Sequence, residues 1–151
     1  MIDATDRKIL EALLADARLP LKQLAERVGL SAPSVSERLR RLEDRRVIRR
    51  YTVDIDPRAL GFMLQAIVRI KPLPGKLQAV QKLVAELPEV AECDKVTGDD
   101  CFVARLHLRS MEQLDEILDR IIDRAQTSSA IVKSQVVVRR APPLAVERRV
   151  G

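Results

Sequence analysis

The chain has 151 residues, 46% of them hydrophobic and 32% charged, with a formal net charge of +5, two cysteines, two phenylalanines and one tyrosine. That apolar content excludes a disordered chain, and the length suits one compact domain or two small ones whose cores are marginal alone, which favours dimerisation. No apolar run approaches the ~18 residues of a membrane span, and the start, Met1-Ile2-Asp3-Ala4-Thr5-Asp6, is polar and acidic without a signal-peptide pattern, so the protein is read as soluble and cytoplasmic.

In chain order, Asp3 is an N-cap with Asp6 three residues on, and Ile9, Leu10, Leu13 and Leu14 follow at helical spacing. This helix ends near Ala17, and Leu19-Pro20 breaks the chain before a second, short helix with Leu21, Leu24, Ala25 and Val28 on one face. Gly29 fits a left-handed C-cap. Ser31 caps a third helix, Pro33 sits in its first turn, and Val35, Leu39 and Leu42 face inward. Three helices with a tight Gly-Leu-Ser turn between the last two have helix-turn-helix geometry. Tyr51, Val53 and Ile55 then alternate with polar residues, which predicts a linker strand within 51–61 that ends at Pro57.

Beyond Gly61 the pattern gives a strand at Leu64 to Ile70 and a turn at Pro72-Leu73-Pro74-Gly75. A helix follows with Leu77, Val80, Val84 and Leu87. Val90 to Thr97 and Cys101 to Leu108 are strands joined by Gly98-Asp99-Asp100. Ser110 caps a helix running to Ile122, and Ala130 to Arg139 is a last strand. The fold class is α+β: an N-terminal winged-type helix-turn-helix at 1–50, a linker at 51–61, and a ferredoxin-like βαββαβ domain at 62–140 with both helices on one sheet face. Residues 141–151, with Arg148 and Arg149, form a tail, either a frayed end or an assembly arm. The sheet's other face carries Ile67, Val103, Arg105 and His107, too apolar to stay wet, which predicts a second subunit covering it.

Charge is concentrated rather than spread. Residues 31–50 hold seven arginines against Glu37, Glu43 and Asp44, whereas 61–139 hold eleven basic against eleven acidic residues. At roughly 100° per residue, Ser34, Arg38, Arg41 and Arg45 fall in a stripe about 40–60° wide, away from the Val35/Leu39/Leu42 core. Small polar residues lead this helix and arginines end it, which suits base edges at its start and phosphates farther along. The candidate DNA contacts are Lys22, Ser31, Ser34, Ser36, Arg38, Arg41 and Arg45, with double-stranded DNA as the partner. Cys93, Cys101 and the lone His107 lack the spacing and number of a zinc site, and no carboxylate pair or cysteine signature points to catalysis; no metal, cofactor or catalytic residue is assigned.

These residues resemble the Lrp/AsnC family of leucine-responsive, feast/famine transcription regulators. The resemblance rests on Asp6-Arg7-Lys8-Ile9-Leu10, Leu24-Ala25-Glu26-Arg27-Val28-Gly29-Leu30-Ser31, Val35 to Glu43, Val47-Ile48-Arg49-Arg50-Tyr51, Glu92-Cys93 and Val96-Thr97-Gly98-Asp99-Asp100. It implies that the second domain dimerises, often stacking dimers into octamers, and holds a small effector, usually an amino acid, between subunits. Carried over by position, effector contact falls on Gly98, Asp99 and Asp100 and on the polar loop Thr127, Ser128 and Ser129. The family's turn is often Gly-Asp-x-Asp-aromatic; here Cys101 stands in the second Asp position before Phe102, so that either Asp100 substitutes or the ligand differs from the usual aliphatic amino acids. Two other readings share this layout: an architectural nucleoid-type protein that wraps DNA, and a siroheme-decarboxylase-like enzyme, for which one histidine is a poor endowment.

Overall fold

The computed structural model describes residues 2–144, so Arg148 and Arg149 of the tail lie outside the described residues. The described chain divides into two compact units, one of residues 2–53 with 138–144 and the other Asp54–Val137.

In the first unit the sequence writes its own helix boundaries. α1 (Ala4–Ala15) starts on a capping box in which Asp6 N–H donates to Asp3 Oδ1 at 2.7 Å and Asp3 N–H to Asp6 Oδ2 at 3.3 Å. α2 (Leu21–Val28) ends on Gly29, whose φ of +72° lies in the left-handed region. α3 (Ala32–Asp44) starts on Ser31, whose hydroxyl accepts from Ser34 N–H at 3.4 Å. Ile9, Ala12, Leu24, Ala25, Val35 and Leu42 interlock as one buried core, with Leu39 packed against it. The sequence predicts a strand after this unit. The structure forms none at 51–56, where no strand of the described residues pairs with the chain; instead Asp56 caps a 3₁₀ turn at Pro57–Leu60.

The second unit is a four-stranded antiparallel sheet. β1 (Leu64–Pro72), α4 (Leu77–Glu86), β2 (Val90–Lys95), β3 (Phe102–Leu108), α5 (Met111–Asp119) and β4 (Ala125–Ile131) follow the βαββαβ order, with spatial order β2-β3-β1-β4. Ala66, Val68 and Ile70 of β1 and Phe102, Ala104, Leu106 and Leu108 of β3 are buried with Val80, Val84 and Leu87, and with Leu114, Ile117 and Ile121. Because side chains alternate across a strand, both helices cover that face, and Gln65, Ile67, Arg69, Val103, Arg105 and His107 lie on the other.

Two boundaries differ from the sequence reading. α5 stops at Asp119 rather than at Ile122, and the last strand is Ala125–Ile131 rather than Ala130 to Arg139. Turns at Arg120 to Arg124 bring the chain back early: Leu73 N–H donates to Arg124 O at 2.8 Å, and Pro72 pairs with Ala125. Gln126-Thr127-Ser128-Ser129 has no apolar alternation, but β1 presents a free ladder to it, and backbone pairing overrides weak propensity.

Candidate nucleic-acid interface and effector site

α3 presents its charge as the sequence suggests, with one exception. Ser34, Ser36, Arg40, Arg41 and Arg45 are exposed, as is Lys22 near the start of α2. At the N-terminal end the Ser31 and Ser34 hydroxyl oxygens lie 2.8 Å apart, so the cap hydroxyl is shared. Arg38 is different: its Nη1 lies 2.7 Å from Asp3 Oδ2 and 2.8 Å from Asp6 Oδ1. The carboxylates that cap α1 therefore hold the middle of α3. The hydrogen bond from Arg38 keeps the Asp3 carboxyl below its ordinary value of 3.8, and the same bond pushes Arg38 up. Farther along, Tyr51 O–H donates to Glu43 Oε1 at 2.8 Å; burial, with Glu43 beside it, pushes the phenol up to about 12.

The turn Gly98-Asp99-Asp100 joins β2 to β3, with Gly98 at φ +111°. Asp100 Oδ2 lies 4.0 Å from Arg69 Nη1 on the face that α4 and α5 leave bare. Arg69 is directly opposite Ser128 of β4, so Asp100, Arg69 and Ser128 follow one another across that face. Thr127 and Ser129 do not join them. They pair with Ile70 and Val68, whose side chains are buried under the helices, and thus belong to the opposite face of the same strand. The sequence reading of 127–129 as a polar loop is corrected here: it is a strand, and only every second residue shares a face.

Arg69 was not a sequence candidate, although its place opposite the parity of Ala66, Val68 and Ile70 marks it as a charge on the bare face. Arg105 continues the polar network there, with Nε 3.1 Å from Glu92 Oε1 and Nη1 3.4 Å from Gln65 Oε1. Beside them Ile67, Val103 and His107 are half-buried, and His107 Nδ1 has no hydrogen-bond partner among the described residues. Burial, with Asp94 next to it, pushes the Cys93 thiol up, opposite to the depression of an activated nucleophile. Among the described residues no cluster of His, Cys, Asp and Glu is placed to hold a metal, and no helix is long and apolar enough to cross a membrane.

A helix-turn-helix with an exposed basic face, joined to a separate βαββαβ unit with a charged turn, defines a two-domain DNA-binding regulator with a ligand-binding domain. The comparisons place it further. Residues 2–49 match the winged helix-turn-helix DNA-binding family, and residues 65–142 match the Lrp/AsnC ligand binding domain. The HTH-type transcriptional regulator LrpA of Mycobacterium tuberculosis is 37% identical over 134 residues, covering 87% of this chain and 89% of its own. The structure of Bacillus subtilis LrpC is similar at a TM-score of 0.87 with 27% identity, covering 92% of this chain and 99% of its own. That of a Neisseria meningitidis transcriptional regulator in complex with L-methionine is similar at 0.88 with 28% identity, covering 95% and 97%. The chain belongs to the Lrp/AsnC family of transcriptional regulators, with a winged helix-turn-helix DNA-binding domain and an Lrp/AsnC ligand binding domain.

Proposed function

We propose that residues 1–50 dock α3 in the major groove of double-stranded DNA, with Ser34 and Ser36 toward base edges and Lys22, Arg41 and Arg45 on phosphates. Arg38 acts as a positioning residue that fixes α3 against α1. The observation that carries this is the split along one face of α3, in which Arg38 is tied to Asp3 and Asp6 while Arg41 and Arg45, which follow it, are exposed. The chain serves as a regulator and not as an enzyme, and its chromosomal ligand puts it in the cytoplasm.

Residues 62–140 bind an α-amino acid and join subunits. Arg69 suits the ligand's carboxylate, Asp100 its ammonium group, the Gly98 and Asp99 turn amides lie beside them, and Ser128 adds a hydroxyl. The methionine complex of the Neisseria relative supports methionine as the first ligand to try. The bare sheet face, with half-buried Ile67 and Val103 and the unpartnered His107 Nδ1, supports a homodimer closed over it, and dimers stack into a higher oligomer such as an octamer.

Calorimetric titration with L-methionine and the other natural amino acids tests the effector site. At least one is expected to bind the wild type, and Arg69→Met and Asp100→Asn are each expected to weaken it about tenfold or more, the loss of one charge-assisted hydrogen bond. Equal affinity in both variants would overturn the assignment.

A further inference from the structure

The first unit closes two helices with the same hydrogen-bond pattern and two different residues. After α2, Gly29 N–H donates to Glu26 O at 3.3 Å and Leu30 N–H to Ala25 O at 3.0 Å, with Gly29 at φ +72°. After α3, Arg46 N–H donates to Glu43 O and Val47 N–H to Leu42 O, both at 2.8 Å, with Arg46 at φ +55°. Each is the paired closure that puts one residue in the left-handed region, where glycine is free of the Cβ clash that any other side chain meets. Arg46 is the one non-glycine residue of the described chain with positive φ.

The two backbone hydrogen bonds of the closure would form with glycine as well, and among the described residues the Arg46 side chain adds nothing that offsets the strain. The Arg46 side chain is exposed and makes no hydrogen bond, ion pair or ring contact among the described residues. The geometry alone is met by glycine at the end of α2, so the backbone gains nothing from having arginine at the end of α3. Strain kept at a position where the fold gains nothing from the side chain marks function. The surroundings name the ligand: Arg41 and Arg45 precede it on the exposed side of α3, Arg49 and Arg50 follow it, and all are exposed. A run of exposed guanidinium groups on one short turn suits the phosphodiester backbone, which each can meet in bidentate fashion.

We propose that Arg46, carried on the left-handed turn that ends the recognition helix, binds a DNA phosphate flanking the groove that α3 enters, and that the backbone strain is retained for this contact. This rests on the DNA-binding reading of α3 and adds a contact outside the helix.

The test uses the full-length protein and a duplex from the region upstream of its own gene, with binding followed by fluorescence anisotropy across a salt series and stability by thermal melting. Arg46→Gly removes the strain and the charge together, so its two effects should have opposite signs. Its Tm is expected to rise by a few degrees, while the slope of log affinity against log salt falls by about one per protomer and affinity at moderate salt drops about tenfold per dimer. Arg46→Lys is expected to keep the wild-type slope. An Arg46→Gly variant that binds with the wild-type slope overturns the proposal, as does one that melts lower, because the side chain would then serve folding. A wild type with no salt-dependent binding would bring down the DNA-binding reading as well; an unchanged slope in Arg46→Gly beside normal wild-type binding brings down this inference alone.

Discussion

Arg38 is the first arginine of the basic stripe of α3, yet its guanidinium faces the two carboxylates at the start of α1. That pairing links residues 32 and 35 positions apart, so no local motif announces it. It gives the N-terminal unit a pH dependence whose sign follows from Asp3. The folded-state pKa of this carboxyl lies below its ordinary 3.8, so the unfolded chain binds the proton more readily. The stabilisation is complete above that value and is lost as pH falls through the folded-state pKa. Arg38→Ala should lower the Tm at neutral pH by about 5 °C and flatten this acid-side dependence, measured by melts across a pH series. Tyr51 offers a second check, because it is the chain's one tyrosine and tryptophan is absent. Its phenolate ultraviolet band should titrate near pH 12, and in Glu43→Gln the midpoint should move down only part of the way toward the ordinary 10, because burial, the larger cause, stays. The raised value means that stability from this contact is fully present below the ordinary phenol pKa and fades as pH rises through about 12.

At the scale of elements, α3 was legible because its signals are local: a serine cap, a proline in the first turn, apolar residues at helical spacing and a glycine closing the helix before it. Ser31→Ala should cost about 1 kcal/mol of stability, measured by denaturant unfolding, because one N-terminal amide loses its acceptor. β4 was not legible, since four polar residues in a row carry neither strand propensity nor alternation, and only the ladder with β1 makes them a strand. The same register decides the candidate effector site. A sequence shows Thr127, Ser128 and Ser129 as neighbours, whereas strand geometry sends Ser128 to the face of Arg69 and the other two to the opposite one. Asp100 was legible from its turn, and its partner Arg69, 31 positions earlier in the chain, was not.

At the scale of the whole molecule, the second unit has one sheet face packed under α4 and α5 and another with half-buried Ile67 and Val103 beside the Arg105–Glu92 pair. If that face joins two subunits, Ile67→Glu puts an unpaired charge in the interface at a cost of about 3–5 kcal/mol, and light scattering should find monomer where the wild type is dimeric. Regulation then requires an effector that binds one assembly or domain geometry better than another. All of this presupposes that α3 holds DNA through its exposed cations. The direct test is the salt dependence of binding to the upstream duplex for the wild type and Arg41→Ala. A steep wild-type slope that falls by about one per protomer in the variant, with the Tm unchanged, is the predicted result. A variant with the wild-type slope and affinity would contradict the placement of DNA on α3.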